Sequence, residues 1–156
     1  MKDKDIKVLV VDDEVAFANT LAQRLKMRDL KVGTAYDGEQ ALSKLKEEEP
    51  DVIVLDLKMP GMHGMEVLGE IKKAYPAIQV IVLTGHGTDK DEEEAKKLGG
   101  FDFLKKPADI EHLEKKIRKA FQEKLERTMS AIAFAEEGLF DTAQKIMKDE
   151  EDKDND

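Results

Sequence analysis

Asp51-Val52-Ile53-Val54-Leu55-Asp56-Leu57-Lys58-Met59-Pro60-Gly61 is the stretch whose reading decides the fold. Four β-favouring apolar residues run into a single carboxylate, and a Pro-Gly turn follows at once. A strand apolar on both faces belongs inside a parallel sheet, and a charged residue at its end lies on the sheet's carboxyl edge, where open α/β sheets bind ligands. Taken alone, Asp56 is a loop aspartate. Its importance depends on what shares that edge.

Outward from this stretch the same alternation recurs. Upstream, Ile6 to Val11 reads as a buried strand that stops at Asp12-Asp13-Glu14, and Phe17, Leu21 and Leu25 then mark an amphipathic helix. Lys31 to Ala35 is a weaker strand, Asp37-Gly38 turns into a helix carrying Ala41, Leu42 and Leu45, and Pro50 stops it. Downstream, Met65, Leu68 and Ile71 mark a helix ending near Tyr75-Pro76. Ile78 to Leu83 is a strand closed by Thr84-Gly85-His86-Gly87, and a very polar helix follows from about Thr88 to Leu98, capped by Gly99-Gly100. Phe101 to Leu104 is the last strand, ended by Lys105-Lys106-Pro107. Asp109 then caps a helix with Ile110, Leu113, Ile117 and Phe121 on one face. Five strand–helix units with short connections imply an α/β fold with a parallel sheet covered on both faces.

Composition excludes several classes. The chain has 156 residues, enough for one full-sized domain, and no cysteine, so disulfides and thiolate metal sites are out. Its apolar runs are strand-length, which argues against a membrane span, and no signal peptide opens it, so a cytoplasmic location is expected. A net charge of −9 argues against a nucleic-acid surface. The charge is uneven: residues 122–156 hold 5 basic and 11 acidic side chains, which sets that stretch apart.

In a parallel sheet the strand ends share one edge, so Asp12, Asp13, Asp56, Thr84 and Lys106 can converge despite their distance in sequence. Carboxylates crowded together repel unless a cation sits among them, and a hard divalent ion such as Mg²⁺ resolves the conflict.

The four motifs Val11-Asp12-Asp13-Glu14, Leu55 to Met62, Leu83-Thr84-Gly85 and Phe103 to Pro107 each stand at a strand end. In this order the pattern over residues 5 to 121 resembles the receiver domain of two-component response regulators, chemotaxis-regulator-like. The resemblance implies a flavodoxin-like (βα)5 doubly wound sheet of strand order 2-1-3-4-5. It implies Asp56 as the phosphoacceptor, charged from a phosphohistidine on a sensor histidine kinase. Mg²⁺ would be held by Asp12, Asp13, Asp56 and the backbone carbonyl of Lys58. Lys106 would pair with the phosphoryl oxygens, Thr84 would supply the switch hydroxyl, Gly85 would leave room for the phosphoryl group, and Phe103 would be the switch aromatic. Lys105, one residue off, points away, and the Lys106–Pro107 bond is commonly cis in the family.

Other positions read more plainly. His63 is a turn residue facing water, Asp91 to Glu94 a solvated helix face or part of the output surface, and Met27, Met59, Met62 and Met65 packing residues. Lys58 and His86, two residues after Asp56 and Thr84, stand where the family tunes phosphoryl loss.

Boundaries are expected at 1–121 for the receiver, 122–148 for a helical extension and 149–156 for a disordered acidic tail. In the extension Leu125, Met129, Ile132 and Ala133 continue the apolar stripe. Gly138 breaks it, and Leu139, Phe140, Ala143, Ile146 and Met147 form a second segment, hence a C-terminal helical hairpin. Too short to bury its apolar face alone, it would dock on its receiver, pair with a second copy or bind a partner. A homodimer is expected through it or through the fourth and fifth helices.

The function expected is phosphorylation-dependent signalling to a downstream protein, the alternative being a phosphorelay intermediate that passes the group to a histidine phosphotransfer protein. An aspartyl-phosphate hydrolase of the haloacid dehalogenase type needs a second Asp two residues after the nucleophile, where this chain has Lys58. The chain is therefore expected to assist its own phosphorylation and dephosphorylation without acting as an enzyme on outside substrates. A purely structural pseudo-receiver is disfavoured because every acidic and phosphoryl-binding position is filled.

Overall fold

In a computed structural model, which describes residues 5–154 and their side chains as far as Gly138, five strands alternate with five helices. They are β1 (Lys7–Val11), α1 (Val15–Lys26), β2 (Lys31–Ala35), α2 (Gly38–Glu47), β3 (Val52–Leu55), α3 (Gly64–Ala74), β4 (Gln79–Thr84), α4 (Asp89–Lys97), β5 (Asp102–Lys105) and α5 (Ile110–Asp154). All strand pairs are parallel and the order is β2-β1-β3-β4-β5, as the resemblance implies.

The interior strands β3 and β4 are buried at every residue, which explains their unbroken apolar sequences. The edge strand β2 alternates exposed and half-buried positions as far as the buried Ala35, and its mixed sequence Lys-Val-Gly-Thr-Ala suits that place. Leu9, Val11, Ile53, Leu55, Val80 and Val82 pack with Ala41, Leu45, Val67, Leu68, Ile71 and Ala95 of α2, α3 and α4. The alternate strand residues Val8, Val10, Val52, Val54 and Ile81 are also buried and point to the other face. There α1 and α5 contribute Leu21, Leu25, Leu113, Ile117 and Phe121, and Arg28, just past α1, holds Glu114 of α5 at 2.7 Å.

Two polar ties fix α5 to the amino edge of the sheet. The buried Gln79 amide donates to Ala120 O at 3.2 Å. Asp51 accepts Lys7 N at 2.9 Å and pairs with Lys124 at 2.6 Å.

The chain divides into a unit ending at Lys124 and a second from Leu125 onward. The expected hairpin is not formed: α5 continues as one helix through Gly138 to Asp154. A lone glycine costs a helix about 1 kcal/mol relative to alanine, and the alanines and glutamates before Gly138 favour helix strongly enough to carry it. Of the acidic tail expected over 149–156, residues 149–154 belong to this helix and 155–156 lie outside the described residues.

The turn after Asp56 depends on a close backbone approach. Gly64 N donates to Leu57 O at 2.9 Å, and a Cβ on Gly64 would lie 2.4 Å from Asp56 O and 2.5 Å from Leu57 Cα. Gly64→Ala is expected to destabilise the receiver by about 1–3 kcal/mol, since backbone cannot yield as a flexible side chain can. Urea unfolding checks this, and an unchanged midpoint would count against the packing described.

Candidate functional site

The sheet order places the reversal of winding between β1 and β3, so the residues just past those strands flank the crevice. They are Asp12 and Asp56. In each case the strand ladder runs one residue beyond the strand. Asp12 N donates to Ala35 O at 3.1 Å, Asp56 N to Val11 O at 2.9 Å, and Lys106 N to Thr84 O at 2.9 Å. Each chemical side chain is thereby launched from backbone anchored to the last residue of the neighbouring strand.

Asp12 and Asp56 are buried, Asp13 is not. The Lys106 ammonium lies 2.7 Å from Asp12 Oδ2, 3.6 Å from Asp56 Oδ2 and 3.8 Å from Glu14 Oε1. It also sits 4.2 Å from the centroid of the Phe17 ring, a favourable cation–π placement. Asp12 Oδ1 accepts Glu14 N at 2.9 Å, and Asp56 Oδ1 accepts Lys58 N at 3.4 Å. Burial raises the Asp12 carboxyl above the ordinary aspartate value, with repulsion from Asp56 adding to it, although the bonds from Lys106 and Glu14 N pull the other way. Burial also disfavours the charged form of Lys106, but the Asp12 bond and the carboxylates of Asp12, Asp56 and Glu14 outweigh it and raise the ammonium's pKa.

Asp12, Asp13 and Asp56 each bring one carboxylate oxygen within 4.8 Å of the others. Three hard oxygen donors with no imidazole or thiolate suit a hard divalent cation of the Mg²⁺ kind. The residues present therefore fit the ion that the resemblance implies.

Thr84 and Phe103 form a layer beside this cluster. Thr84 is fully buried, and its Oγ1 accepts His86 N at 3.4 Å. Phe103 is turned inward and buried. A Cβ on Gly87 would meet its ring at 2.3 Å and Thr84 Cγ2 at 2.9 Å, so the loop after β4 lies directly on both side chains. A Cβ on Gly85 would come no nearer than 3.9 Å to the Lys106 stem. Lys105 is exposed, and the Lys106–Pro107 bond is cis.

Thus Asp12, Asp13, Asp56 and Lys106 come together, while Thr84, Gly85 and Phe103 lie beside them and Lys58 reaches Asp56 through its amide. Sequence reasoning missed Glu14, Phe17 and Gly87. Glu14 stood in the motif already singled out, whereas Phe17 read only as a helix-face residue. His63 is exposed as expected, but its Nδ1 also accepts Met65 N at 3.1 Å and so caps α3. Asp91 completes a capping box with Thr88, and that backbone bond holds its carboxyl below the usual range.

A doubly wound parallel sheet of order β2-β1-β3-β4-β5 is the fold of CheY-like domains. The family model for the response regulator receiver domain matches residues 8–118, and the chain belongs to that family. Members are phosphoacceptors of two-component systems, modified on an aspartate. Among solved structures, a receiver domain protein from Clostridium thermocellum is 36% identical, with 76% of this chain and 96% of that one covered and a TM-score of 0.73. The receiver domain of NtrX from Brucella abortus is 32% identical, covering 74% and 98%, TM-score 0.70. A CheY-like receiver from Methanospirillum hungatei is 25% identical, covering 79% and 98%, TM-score 0.76.

Lys106→Met keeps the apolar stem and removes the charge, and it should cost about 1.5–3 kcal/mol at neutral pH, the worth of a charge-assisted hydrogen bond. Without Lys106 the Asp12 carboxyl rises further, so the folded variant binds its proton more tightly than the unfolded chain. Its deficit should therefore shrink as pH falls from the variant's Asp12 value to the wild type's smaller, but also raised, value. Urea titrations of both proteins between neutral and mildly acid pH test this; a deficit independent of pH would contradict the pairing.

Proposed function

We propose that Asp56 is the phosphoacceptor of this receiver and that a sensor histidine kinase is the donor. The observation that carries this reading is the buried Asp56 carboxylate, 3.6 Å from the Lys106 ammonium at the switch point of the sheet. In the transfer an Asp56 carboxylate oxygen forms a bond to phosphorus as the P–N bond of the phosphohistidine breaks. The imidazole leaves and an acyl phosphate remains. Phosphoryl transfer asks mostly for positioning and charge neutralisation. Lys58 N and the β1 ladder orient Asp56, and Lys106 stands ready to take the new phosphoryl oxygens.

Asp12, Asp13 and Asp56, with the Lys58 carbonyl, would hold Mg²⁺. When bound, the ion neutralises the crowded carboxylates and the phosphoryl oxygens.

Signalling would follow from the layer beside the cluster. A phosphoryl group on Asp56 adds acceptor oxygens next to Thr84 and Lys106, with Gly85 leaving the space. Thr84 and Phe103 both lie under the Gly85–Gly87 loop, so a shift of the Thr84 hydroxyl moves the loop that leads into α4. The surface altered in this way serves a downstream protein partner.

Incubation with Mg²⁺ and a small acyl-phosphate donor should add the mass of one phosphoryl group to the intact protein. No adduct, or one that persists in Asp56→Asn, would overturn the assignment. Independently, Mg²⁺ at about 100 times its Kd should stabilise the chain by about 2.7 kcal/mol. Thermal melts of the unphosphorylated protein test this, and the gain should vanish in Asp13→Asn; an equal gain in that variant would remove Asp13 from the metal site.

A further inference from the structure

Helix α5 buries Leu113, Ile117, Ala120 and Phe121 in the receiver core, yet Met129 and Ile132 are 69% and 56% exposed. Leu125, Met129, Ile132 and Glu136 follow one another at steps of four, three and four. The sequence continues the alternation with Leu139, Ala143 and Ile146. Alternating steps of three and four are the 3.5-residue period of a coiled-coil seam, and Ala133, Phe140 and Met147 follow its members on one flank. The helix continues from Leu125 to Asp154, roughly 45 Å and about four heptads at 1.5 Å per residue.

We propose that this segment is a self-pairing surface on which the seam of one chain packs against the seam of a second copy. A foreign partner would need its own seam of matching period and length, whereas a second copy has both by construction. Thr128, Ala133 and Ala135, beside Met129 and Ile132, are uncharged and small, so two copies can approach without like-charge repulsion at those flanks. Glu136 is the one charged residue in the seam between Leu125 and Ile146. Placing a carboxylate there weakens the pairing and makes it reversible. Phe134, 79% exposed, lies about 170° around the helix from the midpoint of Met129 and Ile132 and takes no part. The inference is independent of phosphorylation on Asp56.

Sedimentation equilibrium of the full chain and three variants tests it, with circular dichroism melts verifying that each receiver is folded. The wild-type chain should show a reversible monomer–dimer equilibrium. Ile132→Asp should weaken it by about tenfold or more, Glu136→Leu should tighten it by about tenfold, and Phe134→Asp should leave it unchanged. A wild-type chain and a Glu136→Leu variant that are both monomeric would overturn the proposal. So would a dimer indifferent to Ile132→Asp, or one weakened equally by Phe134→Asp.

Discussion

Two buried carboxylates side by side are tolerable in this fold only because one ammonium group is held between them. Asp12 and Asp56 are almost wholly withdrawn from water, and Lys106 touches the first at 2.7 Å and lies 3.6 Å from the second. Removing a charge from water costs several kcal/mol unless a partner offsets it. The lysine follows β5 and the carboxylates follow β1 and β3, so the pairing holds only while these strands and β4 between them keep their order. The ladder bonds that continue past β1, β3 and β5 maintain that order up to the last backbone atom before each side chain.

The same lysine links the charge cluster to the loop after β4. Lys106 N is bonded to Thr84 O, Thr84 Oγ1 to His86 N, and the loop through Gly87 rests on Phe103. That loop enters α4, which buries only Ala95, whereas α3 buries five residues. A helix with so little apolar anchorage is the cheapest one in the domain to reposition. Its capping box fixes its first turn internally, so it can shift as a unit without unravelling. No helix among the described residues is long and apolar enough to cross a membrane.

Much of this was legible in the residues. The doubly apolar runs of β3 and β4 could only be interior strands, and the weaker pattern of Lys31 to Ala35 suited an edge. Asp12, Asp13, Asp56, Thr84 and Lys106 stood out because each follows a strand. Features resting on contacts between distant segments were not legible. Gly87 looks like any loop glycine until Phe103 is found against it. His63 resembles a surface residue until its ring is seen to accept the Met65 amide. The turn expected at Gly138 failed for a local reason, because one glycine among strong helix formers shifts the balance by too little to end a helix.

The sequence by itself determined the alternation of strands and helices, the chemical groups at each strand end and the apolar spacing of the C-terminal segment. These follow from periodicity and residue type, which are local. Only the tertiary structure decided that Lys106 bonds to Asp12 and stands off from Asp56, that Asp13 stays open while its neighbour is buried, and that Phe17 closes the site from α1. Such choices depend on sheet register and side-chain packing between residues up to 94 positions apart, and no local pattern encodes them.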